Sequence, residues 1–125
     1  MATCPCGSHR DLTRCCGPLL DGEPASTAEA LMRSRYTAFA RGDENHLFRT
    51  WHPRTRPPGP WTDTSITWSG LQVLSTRAGG EEDETGEVEY VASWHRADGT
   101  TGELHELARF ERRARRWTYV DGHIF

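Results

Sequence analysis

Four cysteines stand close together near the start of the chain, in the pattern C-x-C-x8-C-C: Cys4, Cys6, Cys15 and Cys16. Adjacent Cα atoms lie about 3.8 Å apart across a trans peptide, less than the roughly 4.4–6.8 Å usual for a disulfide, so Cys15 and Cys16 should not pair with each other. Cross-pairing of the first two cysteines with the last two stays open, and a C-x-x-C redox motif is absent. Alternatively, four thiolates can converge on one zinc ion in a closed tetrahedral site.

The composition of the chain indicates one domain of a globular protein. It has 125 residues, 35% hydrophobic and 26% charged, with a formal net charge of −3. This charge balance gives no strong attraction to nucleic acids or anionic membranes. No segment approaches the roughly 18 apolar residues of a membrane span, and no secretory signal is evident. We therefore expect a cytoplasmic protein without a membrane segment, in a compartment where most thiols stay unpaired.

Two helices are predicted after a linker rich in Gly and Pro, residues 17–24. The first helix begins near Ser26, which has the capping-box spacing to Glu29, and it stops at Gly42. Asp43 can cap a second, shorter helix that ends before Pro53. The first helix carries apolar residues on one face, as expected for a helix that packs on a core.

The second half of the chain changes to the alternating pattern of β-strands. Strands are predicted over residues 65–76, 87–95, 103–111 and 117–121, with a bulge at Gly70. Hairpin turns are predicted at 97–99 and 112–116. Helices followed by antiparallel strands indicate an α+β fold in which the long helix lies across a curved antiparallel sheet.

Strand alternation predicts a carboxylate inside the protein. Leu104, Ala108 and Phe110 share the apolar face of the third strand, and Glu106 lies on that face. The same rule predicts a pocket lined by Tyr90, Trp94, Glu106, Trp117 and Tyr119, with Asp121 at its rim. A buried carboxylate is either hydrogen-bonded by a tyrosine or an arginine, or serves as a general base or ligand-binding group.

Further candidates for chemistry are few. His52 is either a proton shuttle or a residue that caps a helix end, and together with Glu106 and Asp121 it completes the candidate catalytic residues. The arginines of segment 112–116 beside Trp117 resemble a basic patch with an aromatic platform, although a solvated turn explains them as well. Arg35 and Tyr36 are interpreted as surface and core residues. No nucleophile elbow or phosphate-binding glycine loop is present.

The cysteine segment resembles a known zinc-binding motif. The strings CPCGS (residues 4–8) and CCG (residues 15–17) look like the SEC-C motif, except that His9 stands where that family usually has glycine. The resemblance implies a structural zinc ion held by Cys4, Cys6, Cys15 and Cys16. Since these thiolates close the shell, the metal should not be catalytic. The nearby Arg10 and Arg14 could offset the thiolate charge or face an acidic partner.

The resemblance extends over nearly the whole chain. The stretches ALMRSRYTAF (residues 30–39) and TWHP (residues 50–53), together with positions in the last two strands, look like the YchJ family of uncharacterised bacterial proteins. The shared positions in those strands are His105, Glu106, Phe110, Trp117, Tyr119, Asp121 and Gly122. The resemblance implies a zinc knuckle with its linker, residues 1–22, joined to a nuclear transport factor 2-like (cystatin-like) cone, residues 23–125. It supplies no established reaction.

The sequence leaves three functions open, since one fold can host unrelated activities. The first is a binding module, in which the knuckle meets a macromolecular partner and the cone holds a small ligand or peptide. The second is a pocket enzyme that uses Glu106 or Asp121 as a general acid or base. The third, against which the acidic charge balance argues, is an RNA- or ribosome-associated factor.

Overall fold

The computed structural model describes residues 3–125, in which short helices precede a four-stranded sheet. The helical elements are a 3-10 turn (Leu12–Arg14), α1 (Cys16–Leu20), α2 (Ala28–Arg41) and α3 (Glu44–Thr50). The strands are β1 (Thr67–Ala78), β2 (Thr85–His95), β3 (Thr101–Arg113) and β4 (Arg116–Ile124). The strands pair antiparallel in the order β1-β2-β3-β4. The predicted α+β class, with helices packed on a curved antiparallel sheet, is confirmed.

Capping residues mark the boundaries of the two longer helices. Thr27 Oγ1 accepts a hydrogen bond from the Ala30 amide at 3.1 Å, so α2 is capped one residue later than predicted. Gly42 ends α2 with a φ of +74°, which glycine adopts without a Cβ penalty. Asp43 Oδ1 accepts from the His46 amide at 3.0 Å and starts α3 as predicted.

The predicted linker is wrong in its first part, because α1 occupies the start of segment 17–24. Gly17 lies in α1, and a Cβ there would lie 2.7 Å from the carbonyl oxygen of Leu12. This close approach ties α1 to the preceding 3-10 turn. The predicted domain boundary after residue 22 falls in the short connection between α1 and α2.

The strands extend beyond their predicted ends into the arginine-rich hairpin. The β3–β4 turn is formed by Ala114 and Arg115, whose φ angles are +50° and +67°. Two consecutive residues with positive φ are typical of a tight two-residue hairpin turn. The turn is therefore shorter than the predicted segment 112–116.

Bulges interrupt the sheet in two strands. In β1 the register shifts between Trp68 and Gly70, next to the predicted bulge position, and again between Val73 and Ser75. In β4 one extra residue, Val120, lies opposite the Arg109–Phe110 step of β3. A bulge bends its strand and reverses the side-chain alternation that follows it. The β4 bulge therefore decides which residues after Tyr119 reach the core.

The core lies between α2 and the inner face of the sheet. Leu31, Met32 and Tyr36 of α2 are buried, as are Val88 of β2 and Phe110 of β3. The sulfur-bearing side chains of Cys4, Cys6 and Cys16 belong to the same hydrophobic cluster. The cysteine segment thus packs against the cone. Among the helices of residues 3–125, none is long and apolar enough to cross a membrane.

Candidate functional site

The four cysteines converge, as their spacing allows. All four Sγ atoms lie within 4.8 Å of one another, and those of Cys6 and Cys15 are 3.6 Å apart. All four cysteines are free thiols in the structure. A tetrahedral zinc site with Zn–S distances of about 2.3 Å requires sulfurs about 3.8 Å apart. The cluster therefore has the size of a four-thiolate metal site.

Backbone turns bring the first two cysteines into place. The Cys4 amide donates to the carbonyl oxygen of Arg10 at 2.8 Å, and the Gly7 amide donates to that of Cys4 at 3.4 Å. Gly7 and His9 have positive φ angles of +82° and +65°. His9 adopts this conformation where the SEC-C pattern has glycine, and its exposed side chain is outside the four-cysteine group.

Electrostatics in the cluster favour a cation. A hydrogen bond from Cys16 lowers the pKa of the Cys6 thiol to about 4 in spite of its burial. The same hydrogen bond, together with burial, raises the pKa of the Cys16 thiol. Burial also raises the pKa of the Cys15 thiol. Thiolates this close repel one another, so all four ionise together only around a positive ion.

Side chains from α2 contact the cysteine segment. Arg33 Nη1 donates to the carbonyl oxygen of Cys6 at 2.7 Å, and Thr37 Oγ1 lies 3.8 Å from the Cys4 sulfur. The sequence singled out Arg10 and Arg14 instead, but both are exposed, and the Arg10 side chain donates to the carbonyl oxygen of Arg14. Arg33 was missed because its partner is distant in sequence, and its helical position carries no motif.

A cavity of about 150 Å³ lies between α2 and the inner face of the sheet. Its wall is mostly aromatic and aliphatic, and it contains one acidic and one basic side chain, Glu106 and Arg35. The remaining wall residues are Met32, Tyr36, Phe39, Trp51, Trp68, Tyr90, Ala92, Leu104, Ala108, Phe110 and Tyr119. This lining, apolar with a few polar groups, is typical of small-ligand sites, and the volume is smaller than the roughly 300–1,000 Å³ usual for them.

Glu106 lies in this cavity, on the inner face that strand alternation predicts. Its side chain is 5% exposed. Tyr90 of β2 donates to Oε1, and Tyr119 of β4 donates to Oε2 at 2.6 Å. Burial, reinforced by the neighbouring carboxylate, raises the pKa values of both tyrosines, so both keep their protons at neutral pH. The carboxylate is therefore held between two hydroxyl donors.

Gly122 makes room for that carboxylate. A Cβ at this position would lie 2.7 Å from Glu106 Cδ and 2.9 Å from Cγ, closer than side-chain atoms approach. Gly122 lies opposite Ala108 in β3 because the bulge at Val120 has shifted the register. The bulge and the glycine together let Glu106 fold over β4.

Arg35 is the second charged group of the cavity, and the sequence interpretation of it as a surface residue is wrong. It is 5% exposed, and its Cζ atom lies 4.7 Å from the centroid of the Trp51 ring and 4.8 Å from the centroid of the Tyr119 ring. Nη1 donates to Thr50 Oγ1 at 2.8 Å and to the Leu47 carbonyl oxygen at 3.2 Å. Burial lowers the pKa of Arg35 to about 10, which leaves it charged at neutral pH.

Asp121 does not join the cavity, which corrects the predicted pocket. The predicted alternation carries Asp121 inward with Tyr119, but the Val120 bulge reverses the faces. Asp121 Oδ1 instead pairs with Arg109 Nε at 2.7 Å on the outer face, where both side chains are about half exposed. The Arg109 guanidinium lowers the pKa of Asp121. Among residues 3–125, no second acid stands beside Glu106 in the cavity wall.

Two tryptophans predicted in the pocket also lie elsewhere. Trp94 shares the inner face of β2, but its ring covers Gly102, where a Cβ would lie within 3.0 Å of the ring. Trp117 is 2% exposed, and its Nε1 donates to the Ser26 carbonyl oxygen at 3.4 Å. Because Trp117 is buried beneath Arg112, it offers no exposed platform for a nucleic-acid base.

His52 is engaged in a turn and does not line the cavity. Its Nδ1 accepts from the Arg54 amide at 3.0 Å, and its own amide donates to the Tyr119 carbonyl oxygen at 2.8 Å. This contact lies in the turn after α3, which ends at Thr50, so the side chain does not cap that helix. The three candidate catalytic residues are therefore not brought together, since His52 and Asp121 both lie outside the cavity wall.

A different histidine, His46, is buried without any signal in the sequence. It is 1% exposed, and its Nε2 lies 2.9 Å from Ser34 Oγ. Ser34 Oγ also donates to the Leu31 carbonyl oxygen at 2.7 Å. The hydroxyl group of Ser34 has one hydrogen and donates it to Leu31, so His46 Nε2 must be the donor in its contact with Ser34. His46 Nδ1 has no hydrogen-bond partner among residues 3–125. Burial lowers the pKa of His46 to about 4.

Comparison with known proteins gives one consistent family. Residues 27–122 match the model of the YchJ middle NTF2-like domain. A UPF0225 protein of Streptomyces coelicolor is 48% identical over 95% of this chain and 93% of its own. A UPF0225 protein of Chromobacterium violaceum is 47% identical over 97% of this chain and 92% of its own.

Two solved structures of SEC-C motif containing proteins share the fold. The solution structure of one from Rhodopseudomonas palustris superposes with a TM-score of 0.84 at 32% identity, covering 99% of each chain. The crystal structure of another, from Psychrobacter arcticus, superposes with a TM-score of 0.78 at 25% identity, covering 100% of this chain and 84% of the other. With its NTF2-like domain and its cysteine pattern, this chain belongs to the YchJ (UPF0225) family.

Proposed function

We propose that this protein binds a small ligand in its aromatic cavity and that its cysteine cluster holds a structural zinc ion. The observation that carries the proposal is the pair of buried charges, Glu106 and Arg35, in the wall of a cavity that side chains do not fill. Charged groups are costly to remove from water, and an apolar cavity lined by a few such groups is the default candidate for a binding site.

A purely structural role explains Glu106 better than it explains Arg35. Both oxygens of Glu106 accept from tyrosines, so packing alone could account for this carboxylate. Arg35 donates through Nη1 only, whereas Nε and Nη2 donate to none of residues 3–125. An arginine that is held in position by two rings but keeps unused donors at a cavity is arranged for a ligand.

Binding is favoured over catalysis by what surrounds Glu106. A pocket enzyme with Glu106 as general base would need a second group that gives up a proton. The predicted partners, Asp121 and His52, lie outside the cavity wall, and the two tyrosines already donate their protons to the carboxylate. The cavity therefore has the groups to hold and orient a ligand.

Zinc would be held by Cys4, Cys6, Cys15 and Cys16, in a cytoplasm that keeps the thiols reduced. Four thiolate ligands fill a tetrahedral shell, so the ion would supply a cross-link and no reactive position. Metal analysis of protein purified under reducing conditions should give one zinc per chain, and Cys6→Ser should lower that content severalfold. Zinc-free wild type that is folded over residues 3–22 would contradict this part. A macromolecular partner at the knuckle stays a prediction.

The cavity is tested by filling it. Ethylbenzene, titrated into isotope-labelled protein, should shift the methyl signals of Met32 and Leu104, which line the cavity, in a saturable manner. Ala108→Met places a longer side chain in the cavity wall and should weaken this binding at least about tenfold. Leu74→Met, at an exposed position 44% accessible on β1, is the matched control. Equal binding by the two variants would show that the probe binds elsewhere.

A further inference from the structure

Arg35 presents hydrogen-bond donors along one edge only. The Trp51 and Tyr119 rings lie within 5 Å of its guanidinium carbon, at 4.7 and 4.8 Å, so aromatic groups cover it. Nη1 is occupied by Thr50 and Leu47. The edge formed by Nε and Nη2 donates to no residue within 3–125. This edge suits a planar acceptor such as a carbonyl group.

Glu106 and the two tyrosines bound to it offer only acceptors to a ligand. A carboxylate oxygen has two acceptor positions, and each oxygen of Glu106 uses one of them for a tyrosine. Tyr90 and Tyr119 have already donated their hydroxyl hydrogens, so their oxygens can only accept as well. A ligand group that meets these oxygens must therefore supply a hydrogen, as a hydroxyl or N–H group does.

The space between these polar groups suits one aromatic ring. Apolar and aromatic side chains form the rest of the wall, and the volume is about 150 Å³. A dry protein cavity of about this volume is known to hold benzene. Aromatic walls favour a flat ligand that stacks or meets them edge to face.

The charge balance of the cavity favours a neutral ligand. Arg35 and Glu106 carry opposite charges, and both are 5% exposed. An ionised ligand would leave one uncompensated charge in an apolar enclosure, which is costly. A fully apolar ligand would also be poorly matched, because it would displace water from both groups without replacing its hydrogen bonds.

We infer that the ligand is a neutral, single-ring aromatic molecule that carries both a hydroxyl donor and a carbonyl acceptor, as a hydroxyaryl ketone or amide does. The hydroxyl group binds Glu106, the carbonyl group binds the free edge of Arg35, and the ring fills the aromatic space between them. This inference rests on the proposed binding role of the cavity and assigns its chemical specificity.

Four matched probes test the assignment. They are 4-hydroxyacetophenone, with donor and acceptor; acetophenone, with the acceptor alone; 4-ethylphenol, with the donor alone; and ethylbenzene, with neither. Dissociation constants are measured by NMR titration of the full, metal-loaded chain. A site built to hydrogen-bond its ligand rejects analogues that lack the partner group. We expect 4-hydroxyacetophenone to bind at least about tenfold more tightly than ethylbenzene, with the two single-group probes between them.

Two substitutions assign each preference to its residue. Arg35→Met should abolish the advantage of acetophenone over ethylbenzene and leave the advantage of 4-ethylphenol. Glu106→Leu should abolish the advantage of 4-ethylphenol over ethylbenzene and leave the advantage of acetophenone. If either variant fails to fold, the wild-type ranking of the four probes still decides the assignment.

The outcomes separate this inference from the proposal beneath it. Equal dissociation constants for all four probes would overturn the donor–acceptor specificity and leave the cavity as a general apolar site. Tighter binding of ionised 4-hydroxybenzoate than of 4-hydroxyacetophenone would overturn the neutral class. If no probe binds at millimolar concentration, ethylbenzene included, both the inference and the ligand-binding proposal fail.

Discussion

The cysteine cluster and the aromatic cavity are two polar sites in contact with one helix, α2, but they are held together in opposite ways. The cluster gathers four groups of the same kind, which repel when ionised and need a cation between them. The cavity gathers opposite charges, Glu106 and Arg35, held by tyrosines, backbone and aromatic rings. We therefore expect the cluster to depend on its metal and the cavity to exist before its ligand arrives.

The two sites also differ in how far their parts come from along the chain. The cysteines lie within residues 4–16, whereas the cavity wall runs from Met32 to Tyr119. A site made from a short segment has no core of its own, so we expect a bound metal to supply much of its order. A site made from distant segments gains its order from the whole fold.

Metal removal should produce the largest effect, and it tests whether the cysteine cluster depends on a bound metal. Because Cys4, Cys6 and Cys16 pack in the same core as α2, loss of the ion should reach beyond the knuckle. We expect a strong chelator to disorder residues 3–22 and to lower the free energy of unfolding of the remaining domain by about 3 kcal/mol or more, as for loss of a large buried side chain. Urea unfolding with and without chelator measures this.

The control for metal removal is a variant with all four cysteines replaced by serine. Its unfolding curve should not respond to chelator, and zinc should restore the curve of the wild type only. A wild-type domain that unfolds identically with and without chelator would show that the knuckle is an independent appendage. That result would support the sequence prediction of a separate, linker-joined element.

The different origins of the two sites explain what the sequence could predict. The convergence of the four cysteines could be predicted from the sequence, because short spacings keep them near one another. The inward position of Glu106 followed from two-residue alternation within β3, which is also local. Asp121 was misplaced because one extra residue in β4, Val120, reverses the alternation, and no glycine or proline marks that bulge. Arg35 was missed because its burial depends on Trp51 and Tyr119, which only the folded chain brings to it.

Acid should destabilise the cone through His46. Low pH should also weaken metal binding by the cysteine cluster, so the two regions can be compared by separating these two effects. The His46 pKa falls from 6.5 to about 4 on folding, chiefly by burial. Below pH 6.5 the unfolded chain binds a proton that the folded chain excludes. The contribution of His46 to the free energy of unfolding is therefore constant above pH 6.5. As the pH falls from 6.5 to 4, the free energy of unfolding decreases by about 3 kcal/mol in total.

Equilibrium unfolding between pH 4 and 8 should show this loss in wild type and a smaller slope in His46→Gln. Exposed His95→Gln is the matched control and should keep the wild-type slope. Competition between protons and metal is common to all three proteins, so the difference between slopes reports His46. Parallel curves for wild type and His46→Gln would mean that this histidine is not buried as a neutral group.

A smaller effect is expected from Gly122→Ala, which tests whether the cavity is preformed. The new Cβ would lie 2.7 Å from Glu106 Cδ, so the carboxylate must leave one or both tyrosines. We expect a loss of about 2 kcal/mol, typical of overpacking. Gly70→Ala, in β1 with no atom within 4 Å of the new Cβ, should change stability by less than about 0.5 kcal/mol. Equal stability of the two variants would contradict the placement of Glu106 over Gly122.

The smallest effect is expected at Asp121, whose position separates the observed register from the alternation that the sequence suggests. Asp121 and Arg109 form a pair on the outer face with side chains 47% and 52% exposed, and such pairs contribute about 0–1 kcal/mol. Asp121→Asn should therefore change stability by less than about 0.5 kcal/mol, and it should leave the binding of 4-ethylphenol unchanged because Asp121 does not line the cavity. Glu106→Gln, the matched change inside the cavity, should weaken that binding severalfold, since an amide accepts a hydroxyl hydrogen less strongly than a carboxylate does. If Asp121→Asn weakened 4-ethylphenol binding as much as Glu106→Gln, Asp121 would have to face the ligand. That result would contradict the strand register with its bulge at Val120.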